Sequence, residues 1–308
     1  MSKDTNQNFE NITTPPLITI GIPVFNGEAY IKKSIESALN QSFSNFQLVI
    51  SDNASTDNTK AICEYFTKID KRIKYVRHEI NKGHDFNFKF VLSGSKSKYF
   101  VWLGVDDYWE KSFLEKNLDV LEKNDNVVGS IGLVEFYGID NFEIKKNLIF
   151  KIKNILRHGS NDEYEKYKHV LPVSGNYEKK ASIYLRFNQG SFVYGIFRTE
   201  KLKKRMVPLG IEWDLILILN ILKDGDLHVI DKVLVHRFVS GINSGSTFIN
   251  FYKKKMIPLR ELIFPESSLF IWCIKNIGVK FVLKNSDWFV LLLIYGWYTI
   301  FRDLRSKN

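Results

Sequence analysis

The sequence predicts an α/β fold in which a mainly parallel sheet is flanked by helices on both faces. Three observations support this prediction. Short apolar runs alternate with stretches of helical periodicity, the connections between them are short, and polar residues gather where the apolar runs end. Buried strands of parallel sheets have such continuous apolar runs, and ligands of open α/β sheets bind beyond the strands' carboxyl ends.

In the first half of the chain, five strands are predicted at residues 17–25, 46–50, 73–76, 99–105 and 127–134. Helices are predicted between them. The first covers about residues 31–39 and has one apolar face. Ser55 or Thr56 is predicted to cap a second helix that continues through Phe66, and a third helix covers residues 85–92.

The second half is harder to interpret. Residues 138–188 are polar and basic, and an interpretable apolar run follows at 190–198. A helix is predicted to begin near 212, and a strand-like run covers 227–237. Two apolar blocks follow, at 269–283 and 288–301, and both are shorter than the about 20 residues that a membrane-spanning helix needs. We therefore predict amphipathic interfacial or re-entrant helices. The alternatives are a helical cap on the core and an oligomer contact.

The chain divides into a disordered lead at 1–15, one domain at 16–250 and a basic, aromatic helical tail at 251–308. The lead is polar and lacks the apolar segment of a signal peptide. With 308 residues, 44% of them hydrophobic, the chain is long enough to bury a sizeable core. Its two cysteines, Cys63 and Cys273, lie far apart, which indicates a reducing compartment without a disulfide framework.

Positive charge is concentrated in the tail. From Phe251 onward ten basic residues stand against four acidic ones, so a net +6 of the total +10 lies there. Basic residues mixed with Trp, Phe, Ile and Leu favour an anionic membrane surface as a partner, through residues 260–308. A nucleic-acid partner is not predicted, because no nucleic-acid-binding motif accompanies the charge.

Two adjacent carboxylates, Asp106 and Asp107, follow the aromatic run at 99–105. Such carboxylates repel each other unless a cation lies between them. A divalent cation that carries phosphate oxygens suits the position, because hard cations bind a few carboxylates together with substrate phosphates. The alternative is a solvated turn in which Asp107 caps a helix.

Five short motifs occur in order along the first half: Pro23-Val-Phe-Asn-Gly27, Asp52-Asn-Ala-Ser-Thr-Asp57, Asn81-Lys-Gly83, Asn87 and Trp102-Leu-Gly-Val-Asp-Asp107. With them the chain resembles a family 2 glycosyltransferase of the bacterial surface-polysaccharide type, over residues 17–135. A weaker likeness continues to His236-Arg237. The resemblance implies the Rossmann-like GT-A fold, with a donor half at 16–135 and an acceptor half at 136–250.

The resemblance also implies residues for the nucleotide. Asp52 would accept the ring N–H of uracil or thymine, because an ionised carboxylate only accepts hydrogen bonds. Pro23 and Phe25 would shape the base pocket. Asn26 is either a turn residue or a ligand, and Arg77 would reach the base or the phosphates. The alternatives are a turn or cap role for Asp52 and a solvated strand-end arginine at position 77.

For the metal, the resemblance implies that Asp107 ligates Mg²⁺ or Mn²⁺ and that Asp106 contacts the metal or the ribose. Many relatives carry a further acid at the position of Gly104, so the motif here is Asp-Asp. Diphosphate and water can complete the coordination shell.

For the chemistry, the resemblance places the catalytic base at Glu212, just before a helix, with Asp214 as the rival. Residues two apart on a helix point to different faces, so one of the two is expected to serve. The alternative is an exposed helix start that favours acids. Trp213 would stack on a sugar or pack. His236 and Arg237 would face the diphosphate, or form an ordinary exposed pair.

The resemblance, together with the basic and aromatic tail, implies an inverting glycosyltransferase that moves a sugar from a UDP- or dTDP-linked donor to a hydroxyl of a glycan or polyprenyl-linked acceptor. We expect it in the cytoplasm, peripheral on the inner face of the cell membrane. A nucleotidyltransferase is the first rival, but residues 26–29 do not supply its glycine-rich basic loop. The second rival is a catalytically silent relative that binds carbohydrate or organises an assembly, which Gly104 and Glu212 leave open.

Overall fold

The computed structural model describes residues 15–138, 170–187, 190–207, 213–238 and 260–305. Within these ranges eight strands form one sheet. They are β1 (Ile18–Val24), β2 (Phe46–Asp52), β3 (Ile73–Arg77), β4 (Tyr99–Trp102), β5 (Tyr108–Trp109), β6 (Val127–Tyr137), β7 (Ile196–Arg198) and β8 (Asp226–Phe238). Their order in the sheet is β3-β2-β1-β4-β7-β6-β8-β5.

Helices of the same ranges flank the sheet and form the tail. They are α1 (Ile31–Leu39), α2 (Thr59–Ile69), α3 (His84–Ser93), α4 (Phe113–Lys123), α5 (Tyr177–Phe187), α6 (Thr199–Arg205), α7 (Trp213–Ile221), α8 (Arg260–Ile263), α9 (Ser267–Asn276), α10 (Val279–Lys284) and α11 (Ser286–Arg305). A short 3-10 helix spans Ser191–Tyr194.

The sheet is parallel in its first half and mixed in its second. β1 pairs in parallel with β2 and β4, and β2 pairs in parallel with β3. β7 runs antiparallel between β4 and β6, and β5 runs antiparallel to β8. The α/β prediction is confirmed. The second half is less parallel than predicted, because apolar runs identify strands but carry no information about strand direction.

The start of α2 differs from the prediction. The helix begins at Thr59, and neither Ser55 nor Thr56 caps it. Ser55 Oγ instead accepts the Asn26 N–H at 2.9 Å, and the Thr56 N–H donates to Asn26 Oδ1 at 2.9 Å. These polar residues link the loop after β1 to the loop after β2, so they are not available to the helix.

Buried asparagines fix where β1 and β2 end. Asn87 Nδ2 donates to Val24 O at 3.1 Å and to Ser51 O at 2.9 Å. Asn53 Nδ2 donates to Asn81 Oδ1 at 2.8 Å. A buried amide that satisfies strand-end carbonyls holds both ends in one geometry. The asparagine motifs found in the sequence thus support the carboxyl edge of the sheet.

Helices α9 and α10 and the start of α11 pack on the core. Leu269, Cys273, Phe281 and Trp288 are buried. Arg186 of α5 donates to both carboxylate oxygens of Asp287 at 2.8 and 2.7 Å. The helical-cap alternative is therefore confirmed for α9, α10 and the start of α11. Among the described helices, none has both the length and the apolar character needed to cross a membrane.

The rest of α11 exposes a row of apolar side chains, which we call the exposed stripe. Its members are Val290, Ile294, Trp297, Phe301 and Leu304, with exposed fractions of 54%, 53%, 40%, 64% and 52%. They recur every three or four residues and so lie on one face of the helix.

Candidate active site

The acid pair lies in a turn after β4, and neighbouring elements hold its backbone. The Asp107 N–H donates to Gly104 O at 3.1 Å. Ser34 Oγ of α1 donates to Asp107 O at 2.7 Å, and the Tyr137 hydroxyl at the end of β6 donates to Asp106 O at 2.7 Å. The pair therefore sits beyond the carboxyl end of a parallel strand, where ligands of open α/β sheets bind.

The Asp107 carboxylate is buried, and both of its oxygens have partners. Oδ1 accepts the Phe238 N–H at 3.1 Å, and Oδ2 lies 3.4 Å from Arg237 Nε. Burial raises the pKa of Asp107 to about 6, while the charge of Arg237 opposes the rise and that of Asp106 adds to it. Asp107 is only 4% exposed, so the solvated-turn alternative is wrong.

The residues at the turn fit a hard divalent cation. A Cβ at Gly104 would lie 2.6 Å from Asp107 Oδ2 and 3.3 Å from Asp106 Oδ1, so both carboxylates face the place that a side chain would fill. Within the described ranges, no group of three or more His, Cys, Asp and Glu side chains could hold a metal ion by itself. Two carboxylates suit Mg²⁺ or Mn²⁺ when diphosphate and water supply the other ligands.

We expect Asp107→Asn to stabilise the metal-free protein in a pH-dependent way. Well below the ordinary pKa of 3.8 the carboxyl is protonated in the folded and unfolded states, so the variant should gain no stability there. The folded pKa of about 6 exceeds the ordinary 3.8. Ionisation above that pKa therefore favours unfolding, by about 2 to 3 kcal/mol. Thermal unfolding in EDTA at about pH 3 and pH 8 measures the difference. A gain that is equal at both pH values would contradict the expectation.

Arg237, the second-last residue of β8, is the cation beside the acid pair. Its Nη1 donates to Ser191 Oγ at 3.2 Å, and its guanidinium lies 4.4 Å from the centroid of the Tyr194 ring. Burial works against its charge, yet Tyr194, Asp107 and Asp106 together raise the pKa of Arg237 above the ordinary value. The guanidinium therefore stays charged within the site.

Asp214, in the first turn of α7, also lies near this arginine. Its Oδ1 accepts the Leu215 N–H at 2.8 Å. Its Oδ2 is 2.1 Å from the position that a Cβ of Gly190 would occupy. Burial raises the pKa of Asp214, and the charge of Arg237 lowers it. Asp214 is half-buried in the first turn of α7, so its position at the helix start is as that alternative has it, but its side chain is not fully exposed.

We expect Gly190→Ala to displace the Asp214 carboxylate and to lower kcat/KM by about 10- to 100-fold, because small misplacements in a site have effects of this size. Gly190 has a φ of 78°, so the variant adds backbone strain to the collision. Gly175→Ala is the matched control, since Gly175 has a φ of 107° and its Cβ would meet only Lys179 Cδ at 3.5 Å. Equal losses in both variants would assign the effect to strain alone.

Asp52 ends β2 with its carboxylate fully buried and both oxygens partnered. Oδ1 accepts the Ser55 N–H at 2.8 Å. Oδ2 accepts the Tyr75 hydroxyl at 2.5 Å and lies 3.6 Å from Arg77 Nε. The turn role left open for Asp52 is present. Arg77 donates to Ser55 O at 3.0 Å and is exposed at the end of β3, so the solvated strand-end alternative still holds for it. Contact of either residue with a nucleotide stays a prediction.

The residues predicted for the base pocket lie at the end of β1. Pro23 pairs with Ser51 of β2, and the neighbouring Phe25 is 39% exposed. Asn26 has a φ of 52°, and its Oδ1 accepts the Thr56 N–H at 2.9 Å. Asn26 is therefore a turn residue, and the exposed Phe25 ring lies beside it in the chain.

His236 is not brought into the acid-pair cluster. Its Nε2 lies 2.8 Å from Glu110 Oε1, its Nδ1 lies 3.2 Å from Glu135 Oε2, and its ring stacks on Tyr108 at 4.5 Å. Successive residues of a strand face opposite sides of the sheet. Only Arg237 of the predicted basic pair thus reaches Asp107.

Glu212 lies outside the described residues, so its role as the base stays a prediction. Its neighbour Trp213 packs with other aromatic residues, with ring centroids 6.2 Å from Trp102 and 5.5 Å from Phe88. Of the two alternatives for Trp213, these contacts show packing.

The sequence did not predict that residues 190–194 would contact the site. Gly190 lies against Asp214, while Ser191 and Tyr194 contact Arg237. The local sequence offers no motif for these contacts, which join parts of the chain far apart.

Comparison with known proteins identifies the family. Residues 19–184, more than half of the chain, match the family model described as Glycosyl transferase family 2. The chain belongs to glycosyltransferase family 2.

Curated relatives support this membership. A Haemophilus influenzae protein, an uncharacterized glycosyltransferase, is 32% identical over 166 residues, which cover 52% of this family 2 chain and 50% of that protein. The Bacillus subtilis protein TuaG, named for teichuronic acid biosynthesis, is 35% identical over 106 residues, which cover 34% of this chain and 42% of TuaG. The chain therefore spans about half the length of these relatives.

Solved structures confirm the GT-A fold of the family 2 chain. Staphylococcus aureus TarS 1–349 in complex with UDP-GlcNAc has a TM-score of 0.55 at 19% identity, covering 77% of this chain and 63% of that one. The Pyrobaculum calidifontis mannosyltransferase PcManGT, in complex with GDP-Man and Mn²⁺, has a TM-score of 0.56 at 14% identity, covering 96% and 75%.

Proposed function

We propose that this family 2 chain is an inverting glycosyltransferase that takes its sugar from a UDP- or dTDP-linked donor. The acid pair carries the proposal, because Asp106 and the buried Asp107 lie beside Arg237 at the carboxyl edge of the sheet. Such an edge suits a metal and a diphosphate. Two structures of similar fold contain UDP-GlcNAc in one case and GDP-Man with Mn²⁺ in the other, which supports a nucleotide-sugar donor.

The leaving diphosphate is the first chemical task. Asp107 and Asp106 would hold Mg²⁺ or Mn²⁺, which supplies Lewis-acid neutralisation of the leaving group when bound. Arg237 would add a fixed positive charge at the same edge, held by Ser191 and Tyr194. A preorganised cation stabilises charge that develops as the bond to sugar carbon 1 breaks.

Deprotonation of the acceptor is the second task. We assign it to Glu212, which would take the hydroxyl proton as general base. Attack by that hydroxyl on the face opposite the diphosphate inverts carbon 1 in one displacement. Asp214 is the rival, since its carboxylate lies in the electrostatic field of Arg237.

The nucleotide base would bind at the ends of β1 and β2. Phe25 would cover the base, with Pro23 and Asn26 shaping the pocket from the backbone. Asp52 would accept the ring N–H of uracil or thymine, although both of its oxygens already have protein partners. Arg77 Nε lies 3.6 Å from Asp52 Oδ2, which is the longest of these contacts. We therefore expect the nucleotide base to displace Arg77 from Asp52.

The proposed acceptor is a hydroxyl of a glycan or polyprenyl-linked oligosaccharide at the inner face of the cell membrane. The exposed stripe supports this location, and Lys280 and Lys284 are exposed on the adjoining α10. Apolar side chains next to lysines suit an anionic lipid surface. TuaG, named for teichuronic acid biosynthesis, is consistent with a surface-polysaccharide product.

Vesicle flotation tests this location. Ile294→Glu combined with Phe301→Glu should abolish flotation with anionic vesicles, because it places two charges on the stripe. Tyr65→Glu is the control, since Tyr65 is 60% exposed on α2, outside the tail. Undiminished flotation of the double variant would exclude the stripe as the membrane contact.

A catalytically silent relative is the second candidate. The glycine at position 104 and the internal partners of both Asp107 oxygens favour it. Proton NMR of the protein with UDP- and dTDP-linked sugars, Mn²⁺ and a glycan acceptor separates the two candidates. Release of the nucleotide with an inverted product anomer supports transfer, whereas binding without turnover supports the silent relative.

A further inference from the structure

One guanidinium compensates several negative groups at the site. The charge of Arg237 acts on the carboxylates of Asp107, Asp106 and Asp214, and the guanidinium contacts Asp107 directly through Nε at 3.4 Å. Ser191 and the Tyr194 ring hold it from two further sides. The cation that the acid pair requires is therefore already supplied by the protein itself.

We propose that Arg237 is a built-in counter-ion that competes with the divalent metal for Asp107 and is released to the diphosphate when metal and nucleotide bind together. The competition follows from geometry, because the Asp107 oxygen that contacts Arg237 also faces the space beside Gly104. A divalent cation on that oxygen would stand next to a guanidinium, and two cations at such a distance repel each other strongly in a buried site.

The diphosphate removes this conflict. Its oxygens give the metal further ligands and give the guanidinium a bidentate anionic partner, which arginine binds well. Arg237 can then leave Asp107 without losing charge compensation. Metal and nucleotide should therefore bind cooperatively, with the metal alone binding weakly. This inference rests on the proposed donor site.

The competing interpretation is a structural ion pair that holds Asp107 in place. The two interpretations predict opposite signs for the loss of the arginine charge. If Arg237 only positions Asp107, its loss weakens metal binding. If Arg237 competes, its loss strengthens the binding of metal alone and weakens the binding of nucleotide with metal.

Titration of the full chain with Mn²⁺ alone, monitored by electron paramagnetic resonance, shows whether loss of the arginine charge strengthens or weakens Mn²⁺ binding. We expect Arg237→Gln to bind Mn²⁺ at least tenfold more tightly than wild type, and to bind UDP at saturating Mn²⁺ at least tenfold more weakly. Arg237→Lys keeps the charge and should bind Mn²⁺ as weakly as wild type. Arg205→Gln is the control, because it removes an arginine paired with Asp224 at 2.7 Å, outside the site, and should change neither affinity.

Unchanged or weakened Mn²⁺ binding in Arg237→Gln, in a sample whose thermal unfolding is cooperative, would overturn the proposal. So would tighter binding that persists when Asp107→Asn is added, because the Mn²⁺ would then lie elsewhere. UDP binding to wild type reports on the donor site separately. If wild type binds UDP with Mn²⁺ but Arg237→Gln does not bind Mn²⁺ alone more tightly than wild type, the counter-ion inference fails and the proposed function stands.

Discussion

Asp107→Asn should lower the affinity for UDP in the presence of Mn²⁺ by about 100-fold or more, equivalent to about 2.7 kcal/mol. The variant keeps the shape of the side chain and still accepts the Phe238 N–H. It loses the charge that a hard cation requires. Since this buried carboxylate is expected to destabilise the metal-free fold above its pKa of about 6, a loss of binding would accompany a gain in stability.

Calorimetric titration with UDP, with and without Mn²⁺, measures the loss. Asp119→Asn is the control, because Asp119 is an exposed acid of α4 paired with Lys123 and lies outside the site. Mn²⁺-dependent affinity that is unchanged in Asp107→Asn would remove Asp107 from the donor site.

Glu212→Gln should retain donor affinity and lower kcat by about 10²- to 10⁴-fold, the usual contribution of a general base. The amide keeps the size of the side chain but cannot take the acceptor proton. Asp214→Asn should instead change donor affinity, because it removes a negative charge from the surroundings of Arg237.

Steady-state kinetics on the two variants, with calorimetry for donor binding, separates the two roles. If Asp214→Asn alone eliminates turnover while Glu212→Gln transfers sugar at the wild-type rate, the base is Asp214 and the assignment to Glu212 is wrong.

The features predicted correctly from the sequence are those that depend on local patterns. The run before Asp106 is apolar on both faces because β4 lies inside the sheet, so its burial could be predicted without knowing its neighbours. The acid pair follows that run directly, and its place at the carboxyl edge follows from the parallel arrangement. These patterns were sufficient to predict strands β1 to β4 and the place of the acid pair.

Contacts between distant segments were not predictable in this way. β7 has three residues and inserts antiparallel between β4 and β6, which no periodicity over so few residues could indicate. The surroundings of Arg237 combine the end of β8, a 3-10 helix and the turn after β4. Likewise, the alternation of strand faces separated His236 from Arg237, although both looked equivalent as a basic pair.

In the tail, one feature was predicted correctly from the sequence and another could not be predicted. Its composition predicted amphipathic helices, and helices occupy residues 260–305 apart from short connections. Composition could not distinguish the apolar residues that pack on the core, such as Leu269 and Phe281, from those that remain exposed, such as Ile294 and Phe301. That distinction depends on tertiary contacts between segments far apart in the chain, such as the one between Arg186 and Asp287.

The most direct test of the proposed donor site is calorimetric titration of the full chain with UDP, dTDP and GDP, each with and without Mn²⁺. The acid pair and Arg237 predict that UDP or dTDP binds, and that Mn²⁺ strengthens the binding by at least about tenfold. Absence of binding by all three nucleotides, in a sample that unfolds cooperatively, would contradict the donor site. Metal-independent binding would contradict the role of Asp106 and Asp107.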